Sequence, residues 1–205
     1  MLTLYDFLES GNGYKVRLVL HQLGRPFRLV LKNILRGETR APDFLAKNPN
    51  GRIPLLELPD GRCLAESNAI LTYLAEGTPL MPTDAWDRAL VMQWLFFEQY
   101  SHEPNIATVR FWVHFMKPEQ IDERQLAKKR ELGYAALGVM EKHLTTRSFV
   151  VGERYSIADV ALYAYTHVAH EGGFDLASYP KVRSWLARVV EQPRHVPIMK
   201  SDYGT

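Results

Sequence analysis

The segment Asn48-Pro49-Asn50-Gly51-Arg52-Ile53-Pro54 decides the fold that this sequence predicts. A proline confines the preceding residue to extended conformations, so Ile53 is expected to present its backbone N–H and C=O sideways, as an edge strand does. The pair Asn50-Gly51 predicts a turn that leads into this point. Ile53 is therefore a candidate docking residue for another extended backbone.

A second motif, Glu66-Ser67, begins an apolar helix pattern further along the chain. Before it, the turn at 59–62 separates two predicted strands, Leu55–Leu58 and Cys63–Ala65. We expect Ser67 to cap the helix, whose free N–H groups and positive dipole end favour a carboxylate. Glu66 is expected to hold an ammonium group. The two motifs together predict a site for an amino-acid zwitterion beside a backbone docking residue.

Composition narrows the range of possible functions. With 205 residues and 46% hydrophobic content, the chain can bury one large core or two small ones. Its 25 basic and 23 acidic residues nearly balance and are scattered, so no nucleic-acid-binding surface is predicted. The histidines show no metal-ligand spacing, and the one cysteine excludes a cysteine-based zinc site. We predict no metal.

The expected location is the cytoplasm. The N-terminal residues lack a basic region, and their apolar run is too short for a signal peptide. No uninterrupted apolar stretch of about 18 residues occurs later in the chain. A single cysteine, Cys63, allows no intrachain disulfide, which fits a reducing compartment.

Short strand and helix patterns alternate in the first third of the chain, in the order β-α-β-α-β-β-α, which is that of thioredoxin-like domains. Before the hairpin, the predicted elements are a strand over Leu2–Phe7, a helix ending before Gly24, a strand over Phe27–Leu31 and a short helix over Ala41–Lys47. We therefore predict a thioredoxin-like domain over residues 1–77 and a linker over 78–85.

The remainder, residues 86–205, is predicted to be all helical. Helical patterns cover residues 86–100, 105–115, 118–143, 156–170 and 179–191, with one short strand pattern at 149–151. Ser156 and Asp159 stand three apart at a helix start, in the capping-box arrangement that satisfies unpaired N–H donors. We interpret both residues as structural.

Across nearly the whole chain, these motifs resemble the soluble, cytosolic-type glutathione transferases, particularly bacterial ones. The resemblance implies that the Ile53–Pro54 bond is cis, that Ile53 pairs with the cysteinyl backbone of glutathione, and that the γ-glutamyl group is held nearby. It also implies a homodimer. The residues assigned to glutathione binding are Arg52, Ile53, Pro54, Glu66 and Ser67.

The loop between the first strand and first helix is the predicted catalytic segment. A thiol with a pKa of about 8.5 is mostly protonated at neutral pH, so the thiolate must be stabilised. Ser10 and Asn12 can both donate hydrogen bonds to sulfur, and Ser10-Gly11-Asn12-Gly13 resembles the Ser/Thr-x-Asn-Gly loop of bacterial glutathione transferases. Tyr5 is an alternative, since animal relatives use a tyrosine near the first strand. Helix capping by Ser10 or Asn12 is compatible with either role.

The helical domain is expected to contribute the pocket for an electrophile. Aromatic and polar groups mix in residues 96–104 and 110–112. We name Tyr100, His102 and Arg110 as candidates.

The predicted activity is conjugation of glutathione to hydrophobic electrophiles, with glutathione as co-substrate and no cofactor, membrane or nucleic-acid partner. Two alternatives remain open. One is a glutathione-dependent disulfide reductase or peroxidase that uses the same thiolate. The other is a non-catalytic interaction module with the same fold.

Overall fold

The computed structural model describes residues 1–202, which form two compact units. The first unit contains residues 1–76 together with 193–202, and the second contains Gly77–Gln192. The C-terminal segment therefore belongs with the first unit, whereas the sequence pattern assigned it to the helical domain. Within residues 1–202, no helix combines the length and the apolar character that crossing a membrane requires.

A four-stranded mixed sheet organises the first unit, and the predicted order of elements is confirmed. The elements are β1 (Leu2–Asp6), α1 (Gly11–Gln22), β2 (Phe27–Leu31), α2 (Pro42–Leu45), β3 (Leu55–Glu57), β4 (Cys63–Ala65) and α3 (Ser67–Ala75). The strand order is β2-β1-β3-β4, with β1 and β2 parallel and the other pairs antiparallel. This is the thioredoxin-like arrangement.

Helix α1 is enclosed on nearly all sides. Residues 13–20 are all buried. The C-terminal segment accounts for part of this burial, because the Tyr14 hydroxyl donates to the Val196 carbonyl at 2.6 Å and Arg17 donates to the Ile198 carbonyl. A helix covered in this way shows no clean amphipathic stripe, so the sequence pattern predicts where it ends but not where it begins.

A buried ion pair joins the end of β1 to α1. Arg17 Nε donates to Asp6 Oδ2 at 2.8 Å, and the same guanidinium donates to the Leu8 carbonyl at 2.5 Å. The Asp6 carboxylate lies so close to α1 that a Cβ on Gly13 would meet Asp6 Oδ1 at 1.5 Å. Glycine is therefore required at position 13, and the loop before α1 is fixed from both ends.

The second unit is helical. Its elements are α4 (Ala85–Phe97), α5 (Glu103–Phe115), α6 (Glu123–His143), α7 (Ile157–Thr166) and α8 (Pro180–Val190). Helix α4 continues into a π-helical turn at Glu98–His102, because Pro104 cannot donate the next backbone hydrogen bond. The strand pattern at 149–151 corresponds to an isolated bridge between Val151 and Arg154.

The capping box at the start of α7 has the predicted structural role. Asp159 is completely buried and accepts from the Ser156 and Val150 backbone N–H groups and from Trp185 Nε1, at 3.0, 2.9 and 2.9 Å. It therefore joins the helix start, the preceding loop and α8.

Candidate functional site

The predicted catalytic loop opens α1. Ser10 is the N-cap residue, with an extended backbone, and its Oγ accepts from the Gly13 N–H at 3.3 Å. The helix begins at Gly11, so Asn12 and Gly13 lie in its first turn and not in the loop before it. A serine hydroxyl that accepts a bond keeps its own hydrogen for another acceptor. Capping and donation to a ligand sulfur are thus compatible at Ser10.

The docking residue Ile53 is held by a braced turn. The Ile53–Pro54 bond is cis, as the resemblance implies. Asn48 is buried, and its Nδ2 donates to the Arg52 carbonyl at 2.8 Å. Within residues 1–202, the Ile53 N–H and C=O bond to no other backbone group. This half-buried residue therefore presents two backbone groups that an extended peptide can pair with.

The start of α3 differs from the sequence expectation. Glu66 occupies the N-cap position and Ser67 is the first helical residue, so Ser67 does not cap the helix as predicted. Glu66 is exposed and has a φ of 67°, a left-handed conformation that is uncommon outside glycine. Its carbonyl accepts from the Ile70 N–H at 2.9 Å. Strain of this kind is concentrated at functional sites, where surrounding structure maintains it.

A hydrogen bond connects the predicted catalytic loop to the start of α3. Ser67 Oγ donates to Asn12 Oδ1 at 3.3 Å, although the two residues are 55 positions apart in the sequence. In the β3–β4 hairpin, Leu55 pairs with Ala65, so the chain enters at Pro54 and leaves at Glu66 on the same end. The structure thus brings the loop, the docking residue and the Glu66-Ser67 pair to one end of the sheet.

Sequence reasoning missed Lys15, which also belongs to this cluster. Its side chain is completely buried, and Nζ lies 3.3 Å from Ser67 Oγ and 3.4 Å from Asn68 Oδ1. The available signal was a lysine one helical turn after Gly11 on a helix that is otherwise rich in apolar residues. A lysine at such a position is usually taken as exposed.

Tyr5 is directed to other partners. Its hydroxyl donates to Glu57 Oε2 at 2.6 Å, and its ring packs edge-on against Phe44 of α2. The hydrogen bond to Glu57, with burial adding to it, raises the pKa of Tyr5. Alternation along β1 places Tyr5 on the face opposite Asp6, which contacts α1. Tyr5 is therefore a poor candidate for thiolate stabilisation.

The three electrophile-pocket candidates have different surroundings in the second unit. Tyr100 is 88% exposed. His102 is completely buried, with Nε2 2.9 Å from the Thr166 hydroxyl. Arg110 is buried and pairs with Glu171 at 2.6 Å. Two of the three therefore have structural partners, and the pocket stays a prediction.

The remaining candidate groups do not form a second reactive centre. Within residues 1–202, no set of three or more His, Cys, Asp or Glu side chains is arranged to hold a metal ion. Cys63 is half-buried, and burial raises the pKa of its thiol. A protonated thiol is a weak nucleophile.

Family comparison agrees with this geometry. Residues 1–76 match the model of the glutathione S-transferase N-terminal domain, and residues 105–193 match that of the C-terminal domain. The chain belongs to the glutathione S-transferase family. Its thioredoxin-like first unit and helical second unit are the two domains of that family.

Three relatives illustrate the range of the family. The crystal structure of a glutathione S-transferase from Pseudomonas fluorescens Pf-5 has 51% identity and a TM-score of 0.94, covering 97% of this chain and 99% of that one. The disulfide-bond oxidoreductase YfcG of Escherichia coli K12 is 32% identical over 203 residues, covering 94% of this chain and 92% of that protein. A glutathione transferase from Burkholderia graminis, with two glutathione molecules bound per subunit, has 32% identity and a TM-score of 0.83, covering 94% and 85%.

Proposed function

We propose that the first unit binds glutathione, lowers the pKa of its thiol and directs the thiolate at a hydrophobic electrophile. The observation that carries this proposal is the hydrogen bond between Ser67 and Asn12, which joins the predicted γ-glutamyl site to the predicted thiolate site. Glutathione spans the same two functions, since a zwitterion and a thiol stand on one short peptide.

The binding half of the proposal rests on three groups at one end of the sheet. Ile53 offers a backbone N–H and C=O to the cysteinyl unit. The exposed carboxylate of Glu66 suits the γ-glutamyl ammonium, and Ser67 with the first N–H groups of α3 suits the carboxylate. Glu66 thus has two roles. Its carboxylate is proposed to bind the ammonium group, and its left-handed backbone begins the helix that carries Ser67.

The chemical half depends on Ser10 and Asn12. Each unit by which the thiol pKa falls requires about 1.4 kcal/mol of preference for the thiolate. One hydrogen bond from a neutral donor to an anion contributes about that amount, and the N–H groups at the start of α1 favour negative charge as well. Two donors and a helix start are therefore expected to leave the bound thiol largely ionised at neutral pH.

Disulfide reduction is the second candidate reaction. It is favoured by the relation to YfcG, named a disulfide-bond oxidoreductase, and by the B. graminis relative, which holds two glutathione molecules per subunit. In that reaction the bound thiolate attacks a disulfide sulfur, a mixed disulfide forms, and the other sulfur leaves as a thiolate. The same Ser10 and Asn12 donors serve either reaction, so only turnover separates them.

Turnover with three electrophiles tests the proposal. Glutathione-dependent rates are measured with 1-chloro-2,4-dinitrobenzene, 2-hydroxyethyl disulfide and cumene hydroperoxide, for the wild type and for Ser10→Ala and Asn12→Ala. We expect turnover of at least one electrophile and a loss of about tenfold or more in both variants. A faster rate with the disulfide than with the aryl halide would assign the protein as a reductase.

The single cysteine provides a matched control. Cys63→Ser removes the chain's own thiol, which lies in β4, and is expected to leave every rate unchanged. Full activity in both loop variants would show that the catalytic loop is assigned wrongly. An absence of turnover and of glutathione binding in the wild type would favour the interaction-module alternative.

A further inference from the structure

Lys15 is the one buried lysine side chain at the candidate glutathione site. Burying an ammonium group costs several kcal/mol unless nearby groups stabilise it. Here Nζ reaches Ser67 Oγ and Asn68 Oδ1, both at the start of α3. The positive charge therefore lies directly behind the residues that are proposed to hold an anionic peptide.

The donor and acceptor chemistry of this cluster fixes the direction of its hydrogen bonds. A lysine ammonium can only donate, so Ser67 Oγ must accept from Lys15. The hydroxyl hydrogen of Ser67 is then available for Asn12 Oδ1, 3.3 Å away. An Asn12 amide whose oxygen accepts this bond has its Nδ2 hydrogens on the opposite side of the group, as donors. Lys15 thus determines which end of the Asn12 amide can act on a ligand.

The positive charge of Lys15 also favours the thiolate form of bound glutathione. Glutathione with an ionised thiol carries two carboxylates, one ammonium and one thiolate, so its net charge is about −2 at neutral pH. A cation held in a poorly solvated site favours the charged form of a neighbouring acid. The chain from Lys15 through Ser67 to Asn12 also polarises each donor in turn, which strengthens the last hydrogen bond.

We propose that Lys15 is a positioning residue of the glutathione site, which orients the Ser67–Asn12 hydrogen-bond chain and supplies the positive charge that stabilises the bound thiolate. This inference rests on the proposed function. It goes beyond it by giving a role to Lys15, which contacts the Ser67 and Asn68 side chains.

The test compares two lysines of the same unit. Lys15→Met removes the charge but retains an apolar side chain of similar length. Lys47→Met is the matched control, because Lys47 pairs with Glu57 at 2.9 Å and contacts the Tyr5 ring, away from Ser67. For each protein, the pKa of bound glutathione is measured from thiolate absorbance against pH, and the affinity for glutathione from calorimetry.

We expect Lys15→Met to raise the bound-thiol pKa by about one unit and to weaken glutathione binding about tenfold. Lys47→Met should change neither value. An unshifted bound-thiol pKa in Lys15→Met, beside a lowered pKa in the wild type, would overturn the proposal for Lys15 and leave the proposed function intact. An absence of glutathione binding by the wild type would reject both the role of Lys15 and the proposed function. Failure of the Lys15 proposal alone is therefore distinguishable from failure of the proposed function.

A second variant keeps the test decisive if Lys15→Met does not fold. Lys15→Gln retains a hydrogen-bond donor for Ser67 and loses the charge. Its bound-thiol pKa is expected to rise as well, although glutathione affinity should fall less than in Lys15→Met. A wild-type thiol pKa in a folded Lys15→Gln protein would contradict the charge role.

Discussion

Each unit buries one aspartate completely, Asp6 in the first and Asp159 in the second, but the surroundings of the two carboxylates differ. Asp159 accepts from neutral donors that all belong to its own unit's framework, including the Trp185 indole and the Val150 N–H. Asp6 is paired with the Arg17 cation, which also donates to the Leu8 carbonyl just before the predicted catalytic loop.

The comparison extends to the other buried polar groups. In the second unit, His102 contacts Thr166 and Arg110 pairs with Glu171, so these groups stabilise the fold. In the first unit, buried Lys15 and Ser67 lead to groups at the surface, such as the exposed Glu66. The buried polar groups of the second unit thus pair with one another, whereas Lys15 and Ser67 of the first unit lie at the proposed glutathione site. Substitutions in both units test this contrast, and they are given in decreasing order of expected effect.

The largest effect is expected for Asp159→Ala, because it leaves several buried donors without their acceptor. The free energy of unfolding should fall by about 4 kcal/mol, measured by urea denaturation. Glutathione affinity of the protein that remains folded should be unchanged. A loss of less than about 1 kcal/mol would show that the capping box is not what stabilises the start of α7.

The pH dependence of stability provides the next test. Burial raises the pKa of Asp159 from 3.8 to about 6, so the folded chain binds this proton more tightly than the unfolded chain does. The resulting stabilisation is fully present below about pH 4 and is lost as the pH rises through about 6. Asp159→Asn lacks it, so the stability advantage of the wild type over this variant should grow by about 3 kcal/mol from pH 7 to pH 4.

Urea denaturation of both proteins at several pH values measures this difference, and other titrating groups cancel because the two chains share them. A constant difference would mean that Asp159 keeps an ordinary pKa in the folded protein.

In the first unit, the Glu66→Gln and Ser67→Ala double variant should lose function before stability. Removing a carboxylate and a hydroxyl from the zwitterion site should weaken glutathione binding about 100-fold, measured by calorimetry. The melting temperature should fall less than in Asp159→Ala, because Glu66 is exposed and Lys15 keeps Asn68 as a partner when the buried Ser67 hydroxyl is removed. Equal affinity in variant and wild type would contradict the assignment of Glu66 and Ser67 to the γ-glutamyl site.

The smallest expected effect concerns Ser10 and Tyr5, the two alternative hydrogen-bond donors to the glutathione sulfur. Ser10→Ala should raise the pKa of bound glutathione by about one unit, since one hydrogen bond to the anion is lost. Tyr5→Phe should leave it unshifted, because the Tyr5 hydroxyl is bonded to Glu57. The reverse result would exchange the two roles.

The local elements could be predicted from the sequence because local patterns determine them. The order β-α-β-α-β-β-α and the Ser156–Asp159 capping box are confirmed. What escaped prediction depends on distant partners. The return of Val196 and Ile198 to α1 leaves no periodic signal, and the start of α1 was not predicted for the same reason.

The candidate site also combines features that the local sequence predicts with features that depend on distant residues. The types and positions of Ile53-Pro54 and Glu66-Ser67 pointed to a peptide-binding end of the sheet. At the start of α3, Glu66 and not Ser67 is the N-cap. This could not be predicted, because Glu66 has a positive φ that no sequence rule assigns to glutamate. Lys15 was missed because a buried cation is recognisable only once its oxygen partners are known.

The most direct test of the central claim is a pH titration of thiolate absorbance for glutathione bound to the purified protein. We predict a saturable signal with a thiol pKa well below the ordinary value of about 8.5. Binding with an unshifted pKa, or no binding, would contradict the assignment of the first unit as a thiolate-activating site.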